Sequence, residues 1–339
     1  MSHRSAALSR RAALLAGLGM LGAATVGCDP GGPDDPEPAP PVPTPSEAPL
    51  PPLAGAGNAA EVEGRLAGLA GSLLKADDDL GPALTAILTA AAAGHRAHQL
   101  ALAGPQPTGR PTTGSSSRAT PPPSTKSVPA GLKKLITDED AAARKLAENA
   151  NRAESVTALF WASLAAAAGG YAQAIRQQGT SAKGTAPAKA PKPSAHRPVE
   201  PIEPTAATRA MVEQLYAVGY GYQVAIGHLE KDQFERAAAA LRNHRSLRDR
   251  LIGALVTESG EAPAAAPAYD VPVRPKNAAS AAKLIMTLET ALLPFCGQWV
   301  AAATDDEDRE LAIGTLRSVS VTSVTWGGPL LLWPGYVDQ

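Results

Sequence analysis

The chain has 339 residues and a formal net charge of −1. That length suits two domains of about 100–200 residues each, and the balanced charge argues against a nucleic-acid surface or a strongly basic membrane-binding face. Its 32 prolines are gathered in a few blocks between segments rich in Ala and Leu, the composition of helical domains joined by disordered linkers. Aromatic residues make up 4% of the chain, so the cores must rest on Leu, Ala and Val, whose small side chains let helices approach closely.

Residues 1–28 have the layout of a signal peptide: Arg4, Arg10 and Arg11, then an apolar run from Ala12 to Gly27 that is too short to span a bilayer, then Cys28. Ser9-Arg10-Arg11 resembles a twin-arginine export motif, with Ala13 where Phe or Leu is usual. Thr25-Val26-Gly27-Cys28 resembles a bacterial lipobox, with Thr25 in place of the usual Leu. The expectation is a lipoprotein at the outer face of the cytoplasmic membrane, its membrane partner reached through lipidated Cys28. Residues 29–57 form a Pro- and acid-rich tether. The other cysteine, Cys296, lies in the apolar run LLPFCGQW and is expected in the core.

The first helical block covers residues 58–178. Val62, Leu66, Leu69 and Leu73 mark one face of its first helix, and Leu84, Leu88, Ala91, His95, His98 and Leu102 form the seam of the second. A Pro, Thr and Ser linker over 104–130 follows. A third helix starts near Leu132 or Thr137 and a fourth runs from about Ala153 to Gln177, with Phe160, Ser163, Ala167 and Tyr171 inward. No Gly or Pro separates these last two, so one long helix is an alternative.

A Lys- and Pro-containing linker over 179–204 leads to a second block at 205–330. Val212, Leu215, Gly219, Tyr222, Ile226 and Leu229 give its first helix a strict three-four alternation. In the next, Phe234, Ala237, Leu241, His244, Arg248, Leu251 and Leu255 share the seam, so a histidine and an arginine fall on the side to be buried. An irregular stretch from Ser259 to Asn277 precedes a helix over about Ala278–Ala303, which Pro294 should kink or split. The last helix spans about Asp305–Trp326, its acidic start acting as a cap, and the apolar segment Leu330–Pro334 folds back. Both blocks read helix, helix, long connection, helix, helix, the topology of a ferritin-like bundle. The predicted fold is therefore all-α, two tandem helical bundles joined by Pro-rich linkers, the second of them a ferritin-like four-helix bundle.

The second block resembles a ferritin-like domain family of unknown function found in exported proteins of high-GC Gram-positive bacteria. The resemblance rests on Glu213 with Tyr220-Gly221, His244-Arg245 with Arg248-Asp249, Ala268-Tyr269 with Pro272, and Leu288-Glu289. Gln214 stands where that family often has His. The resemblance implies a four-helix bundle and no particular reaction.

A di-iron bundle needs about four carboxylates and two histidines, with Glu-x-x-His pairs on two helices. Leu241 precedes His244 at that spacing, and the last helix carries no ligand from Leu311 onward. The expectation is a buried polar layer in which His244 and Arg248 face Glu213 and Glu289. In the first block His95-x-x-His98 with Glu139, and with Glu63 and Glu154 on other helices, is a candidate for an iron, manganese or zinc ion. The chain has no CxxC, P-loop, GxSxG or HExxH motif. The predicted role is non-catalytic binding or structure in the cell envelope, with metal storage or redox chemistry as the alternative.

Overall fold

The computed structural model describes residues 43–44, 53–76, 80–103, 127–180 and 199–337. Arg10, Arg11, Cys28 and most of the tether and of the two linkers lie outside the described residues. Eight helices and no strand occur among those described. They are α1 (Ala56–Ala76), α2 (Pro82–Ala103), α3 (Val128–Asn151), α4 (Ser155–Thr180), α5 (Pro204–Ile226), α6 (Lys231–Ser259), α7 (Ala278–Ala302) and α8 (Asp306–Thr325).

Helix α3 starts earlier than its periodicity suggests, because Ser127 caps Ala130 N–H and Pro129 sits in the first turn, where a missing donor is harmless. Helices α3 and α4 are separate. Arg152 N–H closes on Asn149, and Ser155 takes a φ of 52°, so a serine carries the left-handed turn that glycine usually supplies. Pro294 does not split α7, which runs through it as one helix. Asn277 and Ser280 form a reciprocal capping box at the start of α7, and Asp305 accepts from the backbone of Glu307 and Asp308 at the start of α8.

In the first block α1 packs on α2 and α3, and α4 closes the ring by touching both α2 and α3. In the second, α5 packs on α6 and α7, and α7 packs on α8. The fourth edge is open, because the backbones of α6 and α8 do not meet. Side chains bridge that edge at its two ends, Arg250 pairing with Glu307 at 2.7 Å and Arg236 lying over the Trp326 ring. These pairings make α6 and α8 antiparallel.

The blocks are packed together. Helix α4 touches α7 and α8 as well as its own bundle, and α3 touches α8. This explains why α4 is apolar on all sides: Ala158 to Ala168 are buried without a break, so no polar stripe remains for water. Helices α4 and α7 are long and apolar enough to cross a membrane, and most of each is buried inside the fold. Across this junction Ser320 donates to Ala166 O, and buried Arg309 reaches Asn151 O.

On the α6 seam Ala237, Leu241, His244, Leu251 and Leu255 are buried, whereas Phe234 is 41% exposed, one turn too early for the core to reach it. Cys296 is fully buried. After α8 the segment 330–337 crosses to the first bundle, where Trp333 packs against His98 and Phe160. This strap passes so close to α7 that a Cβ on Gly297 would lie 2.0 Å from Gly335 O.

Gly297→Ala should therefore destabilise the fold by about 1–3 kcal/mol through overpacking. Gly314→Ala on α8, where a Cβ meets nothing within 4 Å, should stabilise it by about 0.5–1 kcal/mol. Urea unfolding midpoints of the two variants, moving in opposite directions from the parent, check the pair.

Candidate functional site

Each bundle buries one polar cluster, and the two share a plan. In the first, α2 places His95 and, one turn on, His98; α1 contributes Glu63, α3 contributes Glu139, and all four are 0–1% exposed. His95 Nδ1 lies 2.6 Å from Glu63 Oε2, and its Nε2 lies 2.7 Å from Glu139 Oε1. His98 Nδ1 lies 3.3 Å from the same Glu63 oxygen, while Nε2 donates to Leu332 O at 2.8 Å. Tyr171 of α4 sets its ring edge-on to His95, 5.1 Å between centroids. It can do so because α2 has Gly94 there: a Cβ at that position would stand 2.0 Å from the Tyr171 hydroxyl.

The ring contacts and hydrogen bonds leave three fully buried oxygens of this cluster without a partner: Glu63 Oε1, Glu139 Oε2 and the Tyr171 hydroxyl. Burial opposes the charge of Glu63, but the His95 and His98 imidazoles beside it outweigh that and hold the carboxyl at about 2. Burial likewise opposes a charged His95, yet Glu139 and Glu63 on its two sides raise it to about 10. Burial lifts Glu139 above the usual carboxylate range, His95 offsetting this only in part. Burial also raises the Tyr171 hydroxyl, with Glu139 and Glu63 adding to it.

In the second bundle His244 of α6 meets Glu289 of α7, Nε2 to Oε1 at 2.7 Å, and the Tyr222 hydroxyl of α5 donates to the same oxygen. Burial of Tyr222, reinforced by Glu289, keeps its hydroxyl protonated. Glu289 Oε2 is buried and unpartnered. His244 also lines a groove of about 620 Å³ between α6 and α8, with Asn243, Ser246, Arg250, Thr315 and Ser318 among its walls.

The structure thus brings together His244 and Glu289 but not the other two members of the expected layer. Arg248 bonds Asp249 at 2.6 Å and stacks over the Tyr216 ring, with 22% of its side chain exposed. A carboxylate near water and an aromatic face satisfy a guanidinium at far lower desolvation cost than burial beside Glu289 would. Glu213 is half-buried on α5, and neither His244 nor Glu289 forms a hydrogen bond with it. In the first bundle His95 and His98 converge on Glu63, and Glu139 joins them through His95 Nε2, while Glu154 is exposed in the α3–α4 turn. Tyr171, Tyr222 and Leu332 O were not legible as site groups. The tyrosines gave a usable signal, since a hydroxyl at an inward seam position has to find a partner.

Glu63, His95 and His98 each offer one ligand atom, all within 4.8 Å of one another, so the first cluster has the composition and spacing to hold a metal ion. The second offers a single histidine nitrogen to a single carboxylate and has no such group.

Taken together, the described residues form an all-α protein of two associated four-helix blocks, each with a buried His–Glu pair. Residues 206–338 match the model of a family described as Domain of unknown function (DUF4439). The similarity covers α5 to α8 and the strap, and leaves α1 to α4 outside it. No curated protein and no solved structure matches the chain.

Removing one member of the buried pair should cost far more than removing its exposed neighbour. Glu289→Leu is expected to lose about 3–5 kcal/mol, Tyr222→Phe about 1–3 kcal/mol, and Arg248→Ala no more than about 1 kcal/mol. Guanidinium unfolding curves for the three variants would show that order.

Proposed function

We propose that this chain is an exported, lipid-anchored protein of the bacterial cell envelope, and that its second, ferritin-like bundle is a non-catalytic binding module whose ligand site is the groove between α6 and α8. The observation that supports this reading is the open fourth edge. The corresponding edge of the first bundle, α2 against α4, is closed, so openness is not a requirement of the architecture.

The groove's volume of about 620 Å³ lies within the range of small-molecule sites, about 300–1,000 Å³. Its walls mix Leu247, Leu311 and Val319 with hydroxyls, an amide and charges of both signs. That chemistry suits a small polar ligand carrying both donors and acceptors. His244 lines the groove and engages Glu289 through Nε2, so Nδ1 is the nitrogen assigned to the ligand. The tether and Cys28 supply the reading's other half, presenting the bundles away from a membrane on a Pro-rich span.

Two measurements test it. Cys28→Ser should move the protein from the membrane to the soluble fraction; unchanged fractionation would sink the anchor. Gly314→Trp should fill the groove without backbone strain, since nothing lies within 4 Å of a Cβ there. In a thermal-shift panel of small polar solutes, the parent should show at least one saturable rise in Tm that the Gly314→Trp variant loses. A panel with no saturable rise, or the same rise in both proteins, would sink the binding site.

A further inference from the structure

We propose that the first bundle holds one divalent transition-metal ion on Glu63, His95 Nδ1 and His98 Nδ1, with Glu139 and the Leu332 carbonyl as the groups that orient the two imidazoles. The site lies outside the residues matched by the domain family and is independent of the groove.

The hydrogen bonds carry the first part of the argument. Leu332 O can only accept, so His98 Nε2, 2.8 Å away, bears the proton. A neutral His98 then presents the lone pair of Nδ1 to Glu63 Oε2 at 3.3 Å. Two acceptors facing each other in a dry interior repel unless a cation lies between them. His95 poses the same problem, since both its nitrogens face carboxylate oxygens, at 2.6 and 2.7 Å. Two added protons, one on each ring, would satisfy the pair. A single divalent cation supplies the same two positive charges at one point and leaves both imidazoles neutral.

Orientation and leftover atoms favour the ion. Both rings turn Nδ1 toward Glu63 and Nε2 outward, one to a carboxylate and one to a backbone carbonyl. This is how metal-binding histidines are held, because the outer hydrogen bond fixes the tautomer that leaves the inner nitrogen free. The 3.3 Å between His98 and Glu63 is long for a charge-assisted hydrogen bond, about 2.7–2.9 Å, and close to the separation of two ligands each about 2.0–2.2 Å from a shared ion. His95 has to retreat by a fraction of an ångström to match it. Protonation leaves Glu63 Oε1 unpartnered and fully buried, whereas coordination by Glu63 puts a cation beside it. Two imidazoles and a carboxylate suit zinc, iron(II) or manganese(II) and exclude the soft, thiolate-selecting ions.

The ligands are 0–1% exposed, so the ion enters as the chain folds. The test is to refold the full chain in mild detergent with zinc or cobalt(II), remove free metal, and measure bound metal and the cobalt visible spectrum. About one equivalent per chain is expected, with cobalt absorption bands of a nitrogen- and oxygen-ligated site. Glu63→Gln and His98→Ala should lose both signals while keeping helical circular dichroism. Glu139→Gln, which changes no ligand, should weaken binding by about 10–100-fold and shift the cobalt bands, and it decides the location of the site if the ligand variants fail to fold. A refolded parent that retains well under one equivalent overturns the proposal. So does a parent whose bound metal and cobalt bands are unchanged by Glu139→Gln.

Discussion

One hydrogen-bonded contact recurs and organises each half of the fold: a histidine on the second helix of a bundle bonded to a glutamate on the third. His95 to Glu139 and His244 to Glu289 are both Nε2 to Oε1 contacts of 2.7 Å, 44 and 45 residues apart. The helices they join, α2 with α3 and α6 with α7, do not touch through their backbones. Each bond therefore spans the bundle interior along a diagonal. It also links the two elements that the long middle connection leaves free to slide. A buried carboxylate is tolerable only where its partner meets it, so one hydrogen bond fixes a register that eighteen or more connecting residues cannot. The tyrosines beside each pair, Tyr171 and Tyr222, bring a further helix into the same layer.

Helix α4 links this interior to the rest of the molecule. It closes the first ring, contributes Tyr171 to its polar layer, and on its other faces packs against α7 and α8. Alanines at Ala162, Ala165, Ala166 and Ala168 allow this, since larger side chains would hold at least one neighbour away. The strap completes the connection. It leaves the second bundle, lays Trp333 over His98 and Phe160, and places the Leu332 carbonyl on His98. The polar layer of the first bundle is thus finished by a residue of the second, and the two halves are coupled at the point where the burial of charge is most demanding.

Periodicity revealed the helices and their pairing because Leu and Ala recur every three or four residues over long stretches, from Leu66 to Leu73 and from Val212 to Leu229. It revealed His95, His98 and His244 as buried because they lie in the stripes of their own helices, whereas Glu289 came from the family resemblance. It could not separate α3 from α4, as the turn uses Ser155 and contains neither Gly nor Pro. It misplaced Arg248, whose long side chain leaves the stripe for Asp249 and the Tyr216 ring. The packing of the blocks on each other was hidden for a different reason. An all-alanine surface carries no period, so the second face of α4 looks the same whether it meets solvent or another helix. The strap's carbonyl was out of reach too, because a backbone acceptor leaves no trace in residue type.

The contrast between a sealed first bundle and an open second one comes down to the residues beside the shared histidine. Set on the common diagonal, Gly94-His95 corresponds to Asn243-His244, and His98 corresponds to Leu247. Glycine at the first position admits Tyr171 to within 2.0 Å of where a Cβ would be, and α4 can settle against α2. Asn243 stands in the equivalent place and lines the groove between α6 and α8. At the other position a second imidazole gives the first bundle two nitrogens converging on one carboxylate, where leucine gives the second bundle an apolar wall. Two residue differences on one helix face thus accompany the contrast between a sealed polar interior and an open groove. The His–Glu diagonal is common to both bundles, and the contrast lies in the residues around it.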